Sequence, residues 1–202
     1  DKLFAKVSVK RVHDSHRKIL ACGKLIFKDE IIEWIFQLHE NHQFNFLQCS
    51  VFGRSRMLFY KAIARILFLK AGTDENIVFK FLAPFEVILN KVLGFENPEV
   101  HINSDNSLLI PLIGSLKDIR GIFTSAMTSQ QYLAVYKWFS SRYLDCMKQV
   151  VEICLTQPKV ITGALRLLEE LVYNRGNRIQ FDRTSSEGLQ LFKSISAVVC
   201  TL

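Results

Sequence analysis

The stretch Lys159–Tyr173, KVITGALRLLEELVY, decides how this chain folds. At 100° per residue, Val160, Ala164, Leu167, Leu168 and Leu171 fall on one side of a helix, and Ile161, Leu165 and Val172 widen that side. Lys159, Arg166, Glu169, Glu170 and Tyr173 take the other side. An apolar face this wide must be covered from two directions. Pro158 fits the first helical position, where its missing N–H is not needed. Gly176 lies just past the run, where a left-handed residue ends a helix.

Outward from this stretch the helical period persists almost throughout. Helices are predicted at Ser15–Leu25, Asp29–Glu40, Arg54–Lys70, Asp74–Leu93, Leu108–Met127, Ser129–Phe139, Arg142–Thr156 and Ser186–Cys200, with Ser185 or Ser186 as the cap of the last. Gly72-Thr73, Gly94–Asn106 and Gln157-Pro158 separate them. Within Arg54–Lys70 the cations Arg54, Lys61 and Arg65 form one narrow stripe, and most of the remaining circumference is apolar, so other helices must enclose it. Antiparallel helices joined by short corners predict an all-α fold, in which HEAT-like helix repeats form an α-solenoid segment. A compact bundle is the alternative. Residues 1–202 read as one such segment of about four helix pairs, with a looser connection near 94–106. No strict sequence period is visible.

The 202 residues are 49% hydrophobic and 22% charged, enough to bury a sizeable core and too apolar for disorder. The sequence begins at Asp1 without methionine and stops with Ile195, Val198, Val199 and Leu202 still in helical register, so a longer protein is expected. The net charge of +7 is spread evenly, with no Lys/Arg block. It reads as a solvated surface that helps attract an acidic protein partner, not as a nucleic-acid-binding arm. Cys22, Cys49, Cys146, Cys154 and Cys200 are odd in number and widely spaced, the pattern of reduced thiols in an intracellular protein. There is no signal peptide, and charges interrupt the apolar runs before about 18 residues, so membrane insertion is not expected.

No reaction chemistry emerges. His13, His16, His39 and His42, with Cys22 and Cys49, offer zinc-type ligands, but their spacing matches no zinc-finger pattern and they fall on different elements. No metal, no cofactor and no catalytic residue is expected. Nucleophile elbows, phosphate loops and dinucleotide fingerprints are absent from the sequence. Cys154 alternates with Val150, Val151 and Ile153 and reads as a small buried residue. Phe59, Phe68, Phe81 and Phe123 keep core spacing, which argues against an RNA-stacking role. Arg120 falls among Leu109, Ile113, Leu116 and Phe123, so it is expected as a buried structural charge paired with a carboxylate of a neighbouring helix. Gly114 and Gly121 share another face and fit a close helix approach.

The stretch Leu171–Phe192, LVYNRGNRIQFDRTSSEGLQLF, is a corner with more specific content than an interhelical loop needs. It resembles a corner of the exportin-seven branch (Ran-binding proteins sixteen and seventeen) of the importin-β, or karyopherin-β, nuclear transport receptors. GRSRMLFYKAIARIL at Gly53–Leu67, IGSLKDIRGIFTSA at Ile113–Ala126 and VYKWFSSRYL at Val135–Leu144 resemble the same receptors, in the same order. The resemblance runs over roughly Phe44–Phe192, and Asp1–Gln43 matches poorly. It implies a central segment of a HEAT-repeat receptor that binds protein cargo and the GTP-bound form of Ran, meets nuclear pore proteins, and shuttles between nucleus and cytoplasm without catalysis. No Ran-binding residue carries over, because those repeats of the family are N-terminal ones this chain does not resemble. The basic balance also departs from the family's usually acidic character. A generic solenoid adaptor unconnected with transport is the competing reading. Arg54, Lys61, Arg65, Arg142, Arg175 and Arg178 are the candidate protein contacts, with interhelical salt bridges and corner hydrogen bonds as their ordinary alternative. If Arg175 and Arg178 are contacts, reversing both charges weakens an acidic partner and leaves the fold intact.

Overall fold

The computed structural model of the chain describes residues 29–44, 53–72, 74–93, 106–182 and 184–201. The helix expected at Ser15–Leu25, His13, His16, Cys22, Cys49 and nearly all of the Gly94–Asn106 connection lie outside the described residues. The described residues are helical with no strand among them: α1 (Asp29–Glu40), α2 (Gly53–Ala71), α3 (Glu75–Leu93), α4 (Asn106–Ser125), α5 (Ser129–Ser140), α6 (Cys146–Ile153), α7 (Pro158–Val172) and α8 (Glu187–Val199). The chain divides into two compact units, with the boundary between Asn41 and His42. In the first, α1 buries Ile32 and His39. The second holds α2 to α8.

In the second unit α4 is the central helix. It packs between α2 and α7, and also meets α3 and α5. Leu112, Leu116, Ile119, Ile122 and Phe123 are fully buried along it, and each such side chain contributes about 1.5–3 kcal/mol relative to exposure. The order α2–α4–α7 forms one layer, and α3, α5, α6 and α8 form a second. Neighbours within a layer run in the same direction. Leu116 meets Gly163, and further along the same helices Phe123 and Glu170 share a guanidinium. In the second layer Trp138 Nε1 donates to Glu86 and the Tyr143 hydroxyl to Asn90, while the Tyr136 hydroxyl donates to Glu187 O and that of Ser194 to Asp145. Like-placed helices following one another in two layers are the all-α helical-repeat fold expected.

Gly121 explains how closely α2 and α4 approach. A Cβ there would lie 2.6 Å from Met57 O, a backbone atom. Gly114 faces the Arg56 guanidinium instead. Arg56 and Asp118 form a buried pair across this interface, with Nε donating to both carboxylate oxygens at 2.7 and 2.8 Å. Arg120, expected to hold the buried pair, is only half-buried and makes no ion pair among the described residues. Its neighbour Asp118 does so. With α2 on one flank and α7 on the other, α4 is well covered, and Ile110, Ile113, Lys117 and Arg120 form a less-buried strip along it.

Helix ends differ locally from expectation. The helix predicted over Arg142–Thr156 begins only at Cys146, because Tyr143 N and Leu144 N both bond to Phe139 O and close α5 with a tight turn. Pro158 occupies the first turn of α7. Gly176 is left-handed (φ 61°), as is Asn177 (φ 55°), but both lie inside the corner, and α7 ends at Tyr173 in an extended conformation. Neither Ser185 nor Ser186 caps α8 through its side chain. The Ser185 hydroxyl donates to Asp182 O.

Candidate functional site

The corner after α7 is built around Arg178, whose side chain is fully buried. Its Nη1 donates to Phe123 O at 2.6 Å and Ala126 O at 2.9 Å. Nη2 donates to Glu170 O at 3.0 Å, Glu170 Oε1 at 2.8 Å and Tyr173 O at 3.2 Å. One guanidinium thereby ties the C-terminal ends of α4 and α7, where unpaired carbonyls and the negative end of each helix dipole favour a cation. It also lies over the Tyr132 ring, 5.4 Å from the centroid. Phe181 packs on Tyr136 and Tyr132, the Asn174 side chain accepts from Ile179 N, and Asp182 accepts from Thr184. Arg178 is therefore a structural latch, not a surface contact. Reversing its charge is expected to break the fold, in line with the corner hydrogen bonds that the sequence offered as the ordinary alternative to a protein contact. Asn174, Phe181 and Asp182, which gave the corner its specific content in the sequence, finish the turn internally around Arg178.

A basic face lies on the α2–α4–α7 layer. On α2, Met57, Lys61 and Arg65 follow at successive turns, and α2 contains no acidic residue. On α4 the strip is Ile113, Lys117 and Arg120, and on α7 it is Lys159, Thr162 and Arg166. A cleft of about 560 Å3 opens between α4 and α7, with Met57 of α2 at its side and Pro158 and Gly163 completing the wall. Its charged lining is Lys117, Arg120, Lys159 and Arg166, with no acidic residue. Beside it, Lys61 is half-buried, and its ammonium pKa is lowered first by burial and then by the nearby charges of Arg65 and Arg175, with Glu170 opposing. Of the sequence candidates, Lys61 and Arg65 thus share one face of α2, and Arg175 is near enough for its charge to act on Lys61. Arg175 also approaches Glu170 at 3.4 Å and stands over the Tyr173 ring.

Arg142 is apart from this group, exposed at the turn between α5 and α6. Arg54 starts α2, with its side chain outside the described residues. Lys117, Lys159 and Arg166 were not among the sequence candidates. Their charges are spread along the chain, and only the side-by-side packing of α4 and α7 gathers them. Among the described residues there is no group of three metal-ligating side chains and no helix long and apolar enough to cross a membrane. Cys154 is buried, and burial pushes its thiol up to about 11, which suits a packing role.

Over 88% of its length the chain is 30% identical to exportin-7 of Dictyostelium discoideum. It is 31% identical to human Ran-binding protein 17 over 88% of its length, and 27% identical to exportin-7-B of Xenopus laevis over 87%. The chain is a homologue of the exportin-7 group. It spans only 17% of the Dictyostelium relative and 16% of the human one. No protein-family model matches the chain, and no solved structure matches it. The likeness to the exportin-7 group reaches further along the chain than the Phe44–Phe192 range read from motifs, and the corner motif that pointed to the group is the Arg178 latch.

Proposed function

We propose that this chain is a scaffold and protein-binding segment of a nuclear transport receptor of the exportin-7 group. Residues 1–202 are read as one helical-repeat segment of that receptor. The full-length protein carries protein cargo out of the nucleus under control of the GTP-bound form of Ran, passes nuclear pore proteins, and shuttles between nucleus and cytoplasm. The segment performs no catalysis and needs no cofactor. The observation that carries this reading is the 30% identity to an exportin-7 along 88% of the chain. The repeat architecture supports it, since stacked helix pairs present an extended surface for protein recognition. Lys61, Arg65 and Arg175, with the adjoining cleft, are the face on which a protein would dock. The test is binding of the full-length protein to purified Ran loaded with GTP or with GDP. A marked preference for the GTP form is expected. Equal or absent binding to both overturns the transport assignment and leaves the generic adaptor.

A further inference from the structure

We infer that the cleft between α4 and α7 receives an acidic segment of a partner protein. Carboxylates of that segment pair with Lys117, Arg120, Lys159 and Arg166, while an apolar side chain rests on Met57 and Ile113. The inference rests on reading the chain as a protein-binding segment, and it names the chemistry of one partner.

Charge is the first support. Each ionisable residue lining the cleft is cationic, and none has an acidic neighbour in the lining. Lys159 and Arg166 are exposed, while Lys117 and Arg120 are half-buried, so two cations stand at the rim and two nearer the floor.

Arg120 is the second. Its Nε is buried and has no hydrogen-bond partner. In the same layer the Arg56 Nε is paired, donating to the Asp118 carboxylate, although its Nη1 also has no partner. With no ion pair among the described residues and a half-buried guanidinium lining an open cleft, Arg120 is placed to take a carboxylate from outside, because the charge-assisted bond it would form is the strong kind.

The remaining features choose between partners. The N-terminal end of α7, with Pro158 and Lys159 in the wall, adds the positive end of a 15-residue helix dipole. Nucleic acid would use aromatic platforms for its bases, and the lining contains none. Met57 and Ile113 suit an aliphatic side chain instead. Nearby Lys61, Arg65 and Arg175 extend the positive field, which speeds encounter with an acidic chain and makes it salt-dependent.

The experiment measures binding of the full-length protein to a fluorescent peptide of alternating glutamate and leucine. The expected result is saturable binding that weakens as salt is raised. Lys117→Glu, Lys159→Glu and Arg166→Glu together are expected to lower affinity by at least about tenfold with the melting temperature unchanged. Arg120→Gln is expected to weaken it as well, and Arg142→Glu, on a turn away from the cleft, to leave it as it was. A photo-crosslinking version of the peptide should label α4 and α7. The proposal is overturned if the triple reversal leaves affinity unchanged, if a lysine–leucine peptide binds as well, or if a single-stranded oligonucleotide binds more tightly and displaces the peptide. Peptide binding lost with the Ran-GTP preference intact sinks the cleft alone. The converse result sinks the transport reading alone.

Discussion

Replacing Arg178 with methionine removes the guanidinium and keeps most of the side-chain volume. Four backbone carbonyls, of Phe123, Ala126, Glu170 and Tyr173, lose a donor, though Phe123 O and Tyr173 O keep a backbone one, and the Glu170 carboxylate, 7% exposed, loses its nearer partner. Breaking a buried pair by deleting one partner costs about 3–5 kcal/mol. Loss of the cation from two helix C-termini lies in the same direction, at up to about 2 kcal/mol in partly buried geometries, and overlaps with that figure. We therefore expect Arg178→Met to lower stability by about 3–5 kcal/mol, a large share of the roughly 5–15 kcal/mol typical of a domain. At about 2–4 °C per kcal/mol the melting temperature falls by roughly 6–20 °C. Thermal melts followed by far-ultraviolet circular dichroism, with urea titrations beside them, read this directly. A double-mutant cycle sharpens it, because Arg178→Met should cost less in a Glu170→Gln background, with a coupling of about 1–3 kcal/mol. Arg175, 3.4 Å from the same carboxylate, can move onto it, so Arg175→Met added to Arg178→Met should destabilise further. If Arg178→Met melts within about 1 °C of the parent chain, or the cycle shows no coupling, the latch is refuted.

Two further outcomes follow from the layer. Gly121→Ala drives a Cβ against Met57 O and should cost about 1–3 kcal/mol, while the Cβ of Gly163→Ala meets Leu116 Cδ1 at an ordinary 3.5 Å and should gain up to about 1 kcal/mol from helix propensity; melts giving the reverse order would contradict the close approach of α2 and α4. At the Arg56–Asp118 pair, Arg56→Met alone should cost about 3–5 kcal/mol, whereas Arg56→Met with Asp118→Leu should be near neutral, because the desolvated pair does little beyond offsetting its own burial. Burial raises the Asp118 carboxyl to about 7 against the opposing hydrogen bonds and charge of Arg56. Its unfolded value is about 4, so its stabilising contribution is complete below about pH 4 and is lost as pH rises through about 7. Urea midpoints across that range should fall with pH in the parent chain and lose part of this slope in Asp118→Asn; an unchanged slope counts against the assignment.

Much of the fold was legible because the helices here announce themselves by period. The predicted Asp29–Glu40 coincides with α1, and Pro158 starts α7 as its chemistry requires. The repeat register was not legible. Partners across successive repeats are 62 residues apart at Arg56 and Asp118 but 49 apart at Ser194 and Asp145, so no fixed period exists in the sequence to be found. The break between α5 and α6 contributes, since it splits one layer position into two short helices. Arg120 failed for a related reason. Angular averaging assumes one buried face, and α4 has neighbours on nearly every side, so Asp118, well away from the centre of the apolar stripe, is the residue that is 0% exposed. The cleft cations were invisible because their proximity is created by packing and not by spacing.

Arg178 and the cleft are mechanically linked, and that separates two roles that the sequence merged under one heading of basic contacts. The latch holds α4 and α7 together at their C-terminal ends, while Lys117 and Arg120 on one helix face Lys159 and Arg166 on the other further back along the same pair. Helices that run in the same direction and are tied at one end keep a set width along their length, since close-packed side chains such as Leu116 against Gly163 transmit the constraint. Cutting the latch should therefore weaken the acidic peptide and the fold together, and binding should recover at a lower temperature, where the variant is folded again. Reversing the cleft charges should weaken the peptide alone, and no stabilising substitution elsewhere should rescue it. A latch variant that binds the peptide normally at a temperature where it is partly unfolded would break the link. A cleft variant rescued by stabilisation would show that its cations act through the fold and not through the partner.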